Sequence, residues 1–234
     1  MNIIIKSAKI IDSSSPFHNK TQDILIENGK FSKIASKINN DKGYQEVALK
    51  DLYVSVGWFD SSVSFGEPGY EERETILNGL NVAAKSGFTA IALNANSNPL
   101  IDNKSAVEFL VNKAINHAVS LYPIANLTQK AEGVELAELF DMLNSGAIAF
   151  GDYNAGIENA NLMKLALLYA QNFGGLILSF PQNNSLANNG FANEGENATK
   201  LGLKGNPSIA EELQISRDLF ILEYTGGKLH IPTI

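Results

Sequence analysis

From Val54 onward the chain alternates short apolar runs with segments of helical spacing, and nothing else in the sequence constrains the fold as tightly. Strand–helix–strand succession makes consecutive strands parallel, because each helix returns the chain to the edge of the sheet where the previous strand began. The strand-like runs are Val54–Val63, Phe88–Leu93, Val119–Ile124, Ala147–Phe150, Leu176–Phe180 and Lys228–Ile234. Helical spacing marks Glu74–Lys85 (Ile76, Leu80, Ala83), the stretch after Ser105 (Val107, Leu110, Val111, Ile115), Glu135–Leu143, Leu162–Phe173 and Ile209–Tyr224. Gly87, Gly146, Gly174 and Gly226 stand just past four of these segments, where a left-handed residue ends a helix. Ser105 and Glu108 have capping-box spacing. The pattern predicts six strands and five helices over residues 56–234, in either a doubly wound open sheet or an eight-stranded barrel. No glycine-rich phosphate loop follows an early strand, which counts against nucleotide-binding folds and favours the barrel.

Residues 1–55 have a different texture. Ile3-Ile4-Ile5, Asp23–Ile26 and the Phe31–Ile34 run are short strands, and Asn28-Gly29 between the last two is a type I′ hairpin signal. A polar stretch follows, and Glu46–Leu49 resumes a strand. These features predict a small antiparallel β module. The same region, MNIIIKSAKIIDSS, interrupts its apolar run with charge and reads as a first strand rather than a signal peptide. No stretch reaches the ~18 apolar residues of a membrane span, and the cytoplasm is the expected compartment.

Charge narrows the partners. Eighteen Lys plus Arg stand against 25 Asp plus Glu, a net charge of −7, and only Arg73 and Arg217 are arginine. That balance excludes nucleic acid as an expected partner. There is no cysteine, hence no disulfide, thiolate zinc site or cysteine nucleophile. The chain has three histidines, His18, His117 and His230, and no two are neighbours in sequence. His117 reads as a helix-end residue and His230 as a strand side chain.

The run Gly57-Trp58-Phe59-Asp60-Ser61-Ser62-Val63-Ser64-Phe65-Gly66-Glu67-Pro68-Gly69 resembles the opening of the barrel in dihydroorotases, where the pattern is G-[FM]-[IV]-D-x-H-x-H-x-R-E-P-G. These enzymes belong to the amidohydrolase superfamily with allantoinases and hydantoinases. The resemblance continues at Glu71–Ile76, at Gly87-Phe88-Thr89, and at Asn94–Pro99 against the family's M-P-N-T-N-P. It recurs at Glu194-Gly195, Leu201–Pro207, Ala210-Glu211-Glu212 and Gly226–Ile231. It implies an α/β fold, an amidohydrolase-type (β/α)8 TIM barrel flanked by a β-sandwich to which residues 1–55 contribute. Residues 57–234 number roughly 180, against ~250 for a complete barrel. The expectation is an incomplete barrel, the N-terminal part of a longer polypeptide.

The departures from that resemblance concern the metal. The family's H-x-H on the first strand corresponds to Ser62 and Ser64, its fifth-strand histidine to Phe180 and its sixth-strand ligand to Thr233. The substrate-gripping arginine corresponds to Gly66. A neutral hydroxyl is a poor zinc ligand beside imidazole. The resemblance therefore implies a family zinc centre with its ligands replaced, so no metal and no cofactor are expected. Asp152 holds the place of the fourth-strand acid, and Asn96 that of a substrate contact. Both are candidate vestigial substrate-binding residues. Their structural alternatives are a loop-capping acid and an ordinary turn residue. With no histidine motif nearby to act as base, Ser62 and Ser64 read as relics rather than nucleophiles. The Asn-rich stretch 182–206, with Asn183-Asn184 and Asn188-Asn189, reads as a mobile loop over the barrel mouth.

Family hydrolysis uses metal-bound hydroxide to attack a cyclic amide, so its absence is expected here. The implied role is a non-catalytic structural partner of aspartate carbamoyltransferase in pyrimidine biosynthesis, within a homo- or hetero-oligomer. Two alternatives stay open. One is an active dihydroorotase or related cyclic-amide hydrolase rearranged around Asp152. The other is a non-enzymatic small-molecule binder that uses Asn96.

Overall fold

A computed structural model describes residues 2–187 and 189–234 of the chain, which divides into two units, Met1–Gly57 and Trp58–Ile234. Asn188 of the Asn188-Asn189 pair lies outside the described residues.

The first unit is a five-stranded sheet. Its strands are β1 (Ile3–Ile11), β2 (Thr21–Glu27), β3 (Lys30–Ala35), β4 (Gln45–Val47) and β5 (Tyr53–Ser55). Asn28 and Gly29 turn β2 into β3 with φ of 53° and 76°, the two positive values a type I′ turn requires. The sheet is mixed rather than purely antiparallel. β1–β2 and β2–β3 are antiparallel, whereas β4 and β5 both run parallel to β1. The polar segment between β3 and β4 is long enough to carry the chain back across the sheet, so β4 enters in the same direction as β1.

The pairing of β1 slips between Ile5 and Ala8. Buried Asp23 holds that bulge: its carboxylate accepts from the Ser7 and Ile38 amides and from the Lys6 ammonium. Burial opposes the charge of Asp23. Lys6 and the two amides outweigh it and hold the carboxyl below its ordinary range.

The second unit carries six strands in one parallel sheet: β6 (Trp58–Val63), β7 (Phe88–Leu93), β8 (Ser120–Ala125), β9 (Ala149–Phe150), β10 (Ile177–Leu178) and β13 (Leu229–His230). Their spatial order is their sequence order. A doubly wound sheet reverses direction at a switch point, and this sheet does not. It is the singly wound succession of a barrel, left incomplete with β6 and β13 at its edges.

Five helices make the crossovers: α1 (Ile76–Lys85), α2 (Lys104–Lys113), α3 (Leu139–Asn144), α4 (Ala160–Gln171) and α7 (Ile209–Thr225). Ile76 and Leu80 of α1, Val107 and Leu110 of α2, and Met163 and Leu167 of α4 are buried against strand residues such as Ile91 and Phe150. Removing such a side chain from water contributes ~1.5–3 kcal/mol. No helix among the described residues is long and apolar enough to cross a membrane.

Most element ends shift by a few residues from the sequence expectation, and three differences change the reading of a segment. The Val54–Val63 run breaks into β5 and β6 at Val56-Gly57. α2 starts at an Asn103 cap, whose side chain accepts from the Ala106 amide, and not at Ser105. The stretch expected as a mobile loop contains α5 (Asn184–Ala187), β11 (Ala192–Asn193), α6 (Glu196–Lys200) and β12 (Gly205–Asn206), with β11 and β12 paired in parallel. Strands of two residues are too short to show an alternation in sequence.

Candidate functional site

A parallel sheet carries the C-terminal ends of all its strands along one edge, where side chains are held by the scaffold yet remain open to a ligand. Here those ends surround a cavity of about 160 Å³. Ser62 and Ser64 reach it from the end of β6, Asn94 from just past β7, Tyr153 from beyond β9, Phe180 from beyond β10, His230 from β13 and Thr233 from beyond it. The sheet thus gathers the four positions singled out from the sequence, Ser62, Ser64, Phe180 and Thr233, in one place.

The β6–β7 pairing slips between Asp60 and Val63, and this irregularity brings Ser61, Ser62 and Ser64 to the cavity. The hydroxyls of Ser62 and Ser64 are engaged there. Asn94 Nδ2 donates to Ser62 Oγ at 3.0 Å, and Asn96 Nδ2 donates to Ser64 Oγ at 2.7 Å. Ser64 Oγ in turn donates to Tyr153 Oη at 3.2 Å, and the Ser62 amide donates to Asp60 Oδ1 at 3.1 Å. The backbone supports this ladder, because the Asn94 amide donates to the Val63 carbonyl at 2.9 Å. Asn96 therefore sits beside the site through Ser64. The sequence did not single out Asn94 or Tyr153. Asn94 lies two residues before Asn96, and the alternation of a strand end was the signal that could have found it.

Asp152 lies elsewhere. The cavity takes Gly151 from this segment, and the Asp152 carboxylate turns to the loop after β8. Its Oδ1 accepts from the Leu127 amide at 2.9 Å and the Thr128 amide at 3.1 Å, and its Oδ2 accepts from the Thr128 hydroxyl. Burial raises the Asp152 carboxyl above its ordinary value, against the opposing pull of those hydrogen bonds. The residue clamps two loops together. It does not reach the cavity as the expected substrate contact.

Gly66 occupies a turn with no room for a side chain. A Cβ there would lie 1.7 Å from the Tyr70 carbonyl oxygen and 3.2 Å from Arg73 Cβ. The turn is closed by Gly66 N–H donating to Glu74 O at 2.9 Å and Tyr70 N–H donating to Gly66 O at 2.9 Å. Next to it, Glu67 accepts from the Ile76 amide at 2.9 Å at the start of α1 and pairs with Lys113 at 2.7 Å. Burial works against the Glu67 charge, but Lys113 and the amide prevail and lower its pKa.

A second polar group was invisible in the sequence. Asp218 of α7, 1% exposed, accepts from Ser179 Oγ and from Arg217 Nη2 at 2.6 Å. Arg217 also donates to the Ile157 and Glu158 carbonyls. This network fastens α7 to β10 and to the loop before α4. Its role is structural.

Zinc is held by imidazole, thiolate or carboxylate. Of these the cavity offers one imidazole, His230, among hydroxyls at 61, 62, 64 and 233 and a phenyl ring at 180, and Thr233 Oγ1 donates to the Pro232 carbonyl at 2.7 Å. Among the described residues, no three or more His, Asp, Glu or Cys side chains are grouped so as to hold a metal ion. This donor set does not fit zinc.

A family model described as dihydro-orotase-like matches residues 53–234. Dihydroorotase of Ruminiclostridium cellulolyticum is 37% identical over 235 residues, covering 100% of this chain and 54% of that protein. Dihydroorotase of Pelotomaculum thermopropionicum is 36% identical over 236 residues, covering 100% and 54%. The chain spans about half the length of the curated relatives it matches. Among solved structures, an L-hydantoinase (dihydropyrimidinase) from Arthrobacter aurescens superposes with a TM-score of 0.77 at 16% identity, covering 97% of this chain and 52% of that one. A D-hydantoinase superposes with a TM-score of 0.73 at 20% identity, covering 99% and 52%. These two show the amidohydrolase fold.

Proposed function

The chain belongs to the dihydroorotase-like family, and from that premise we propose that it is a non-catalytic member in which a neutral hydrogen-bonded patch replaces the zinc centre. The observation that carries this reading is the pair of bonds Asn94–Ser62 and Asn96–Ser64. Both serine hydroxyls at the H-x-H positions accept from neighbouring carboxamides. An amide carbonyl resists water, and hydrolysis at neutral pH needs an activated nucleophile. Among the described residues neither Ser62 nor Ser64 is hydrogen-bonded to a base, and Asp152 is turned into its own loop contacts.

In this reading the chain serves pyrimidine biosynthesis through its surface, as a structural partner of aspartate carbamoyltransferase in the cytoplasm. Collinear similarity over 100% of the chain, combined with replaced chemistry at the strand ends, supports a fold kept for something other than hydrolysis. The test takes the full-length protein from its own host. Dihydroorotate turnover should stay at background with or without added zinc, and aspartate carbamoyltransferase should co-purify. Turnover abolished by a chelator would refute the non-catalytic reading, and a transcarbamoylase that elutes alone would refute the partnership.

A further inference from the structure

We propose that Asn28 is the site at which this protein forms isoaspartate, and that the product opens the β2–β3 hairpin of the first unit. The chemistry is that of an Asn-Gly pair, where no side chain on the second residue shields its nitrogen. The Gly29 amide nitrogen attacks Asn28 Cγ. The side-chain NH2 takes up the amide proton and leaves as ammonia, and a five-membered succinimide results. Water then opens the ring at either carbonyl, giving aspartate or isoaspartate. No other reactant is needed.

Three Asn-Gly pairs occur in the sequence, at 28–29, 78–79 and 189–190, and the fold holds them differently. Asn78 lies in α1, where its amide donates to Thr75 Oγ1 and its side chain donates to Glu74 Oε1. The Gly79 amide donates to the Thr75 carbonyl at 3.0 Å. Freeing that nitrogen means pulling α1, with its buried Ile76 and Leu80, off the core. The Gly190 amide donates to the Ala187 carbonyl at 2.8 Å. A Cβ on Gly190 would lie 2.6 Å from the Gly205 carbonyl oxygen and from the Asn206 nitrogen, so this turn is packed against β12. Asn28-Gly29 is instead exposed, at the tip of a two-residue loop. Among the described residues the Gly29 amide donates no hydrogen bond, and a Cβ on Gly29 would meet nothing within 4 Å. Asn28 sits at φ 53°, so the turn must loosen for its Cγ to meet the Gly29 nitrogen. β3 pairs with β2 alone at the edge of the sheet, and fraying of that edge is enough.

Isoaspartate carries the main chain through its side-chain carbon and lengthens it by one methylene. A type I′ turn suits the twist of its flanking strands only with its own two-residue geometry, and the extra carbon breaks that match. The pairs that bear the loss are Glu27 with Lys30 and Ile26 with Phe31. Glu27 also accepts from Ser32 Oγ, Lys42 Nζ and Tyr44 Oη, so loosening spreads from the turn to the loop before β4.

The full-length protein is incubated at mildly alkaline pH, native and in urea, and its peptides are mapped by mass spectrometry with isoaspartyl methyltransferase labelling. In the native protein isoaspartate should accumulate at position 28 at least tenfold faster than at 78 or 189. In urea the three rates should converge to within a few-fold. Comparable native rates at the three positions, or the same ranking and margin in urea, would overturn the assignment. Asn28→Asp brings the charge without the extra methylene and tolerates a left-handed backbone. Hydrogen exchange of the β2 and β3 amides should quicken several-fold or more in the purified isoaspartyl form and stay near wild type in Asn28→Asp. Exchange equally fast in both, or unchanged in the isoaspartyl form, would overturn the consequence for the hairpin.

Discussion

Asn96 donates its side-chain amide to the Ser64 hydroxyl at 2.7 Å, joining the end of β6 to the segment after β7 across 32 positions of sequence. The bond lies beside a second of the same kind, from Asn94 to Ser62. Together they make the strand ends a neutral, hydrogen-bonded surface. Both are solvent-accessible, so each contributes no more than ~0.5–1.5 kcal/mol to stability. Their importance lies in what they occupy.

Gly66→Ala should destabilise the second unit by about 2 kcal/mol or more, because the added methyl meets a backbone carbonyl and not a movable side chain. The denaturant midpoint measures it. An unchanged midpoint would mean that the turn from Gly66 to Glu74 yields easily.

Asp152→Ala strands two buried amides, Leu127 and Thr128, without an acceptor. A loss of about 2–4 kcal/mol follows, again read from the denaturant midpoint. An unchanged midpoint would mean that the Leu127 and Thr128 amides find another acceptor.

Arg217→Met leaves the Asp218 carboxylate buried without its cation, a defect worth about 3–5 kcal/mol. Replacing both residues by apolar ones of similar size should recover much of that loss. A double-mutant cycle measures the coupling. Simple additivity of the two changes would contradict the network described here.

Glu27 accepts from Ser32, Lys42 and Tyr44, and these bonds lower its carboxyl to about 2 from an ordinary value of 4.5. A carboxyl whose pKa is lower in the folded state stabilises that state above the unfolded pKa, and the contribution fades as pH falls through the folded one. Between pH 4.5 and about 2 the wild-type first unit should therefore lose stability relative to Glu27→Gln. Hydrogen-exchange protection of β2 and β3, followed with pH in both proteins, tests this. Parallel pH profiles would contradict it.

The succession of strands and helices was legible because apolar spacing reports the buried face of each element, as at Ile76 and Leu80 of α1. The Asn28-Gly29 turn was legible because its backbone demands two positive φ values. Strand order was not, since alternation of strand and helix is common to wound sheets and barrels. The parallel entry of β4 and β5 depends on a crossover that composition does not encode.

At the site, the four aligned positions were legible and do converge. Their partners Asn94 and Tyr153 were not, because hydrogen bonds between separate strand ends leave no local pattern. Asp152 stood at a strand end where an acid reads as catalytic. Only the direction of its carboxylate, toward Thr128, decides otherwise. Asp218 belongs to no motif, and its burial comes from α7 packing onto Ser179.

The central question is whether the strand ends hold zinc. Elemental analysis of the full-length protein, purified without chelator and then dialysed against micromolar zinc, measures this directly. The predicted result is well below one zinc per chain, unchanged by Ser62→Ala or Ser64→Ala. One or more equivalents per chain, lost on either substitution, would contradict it.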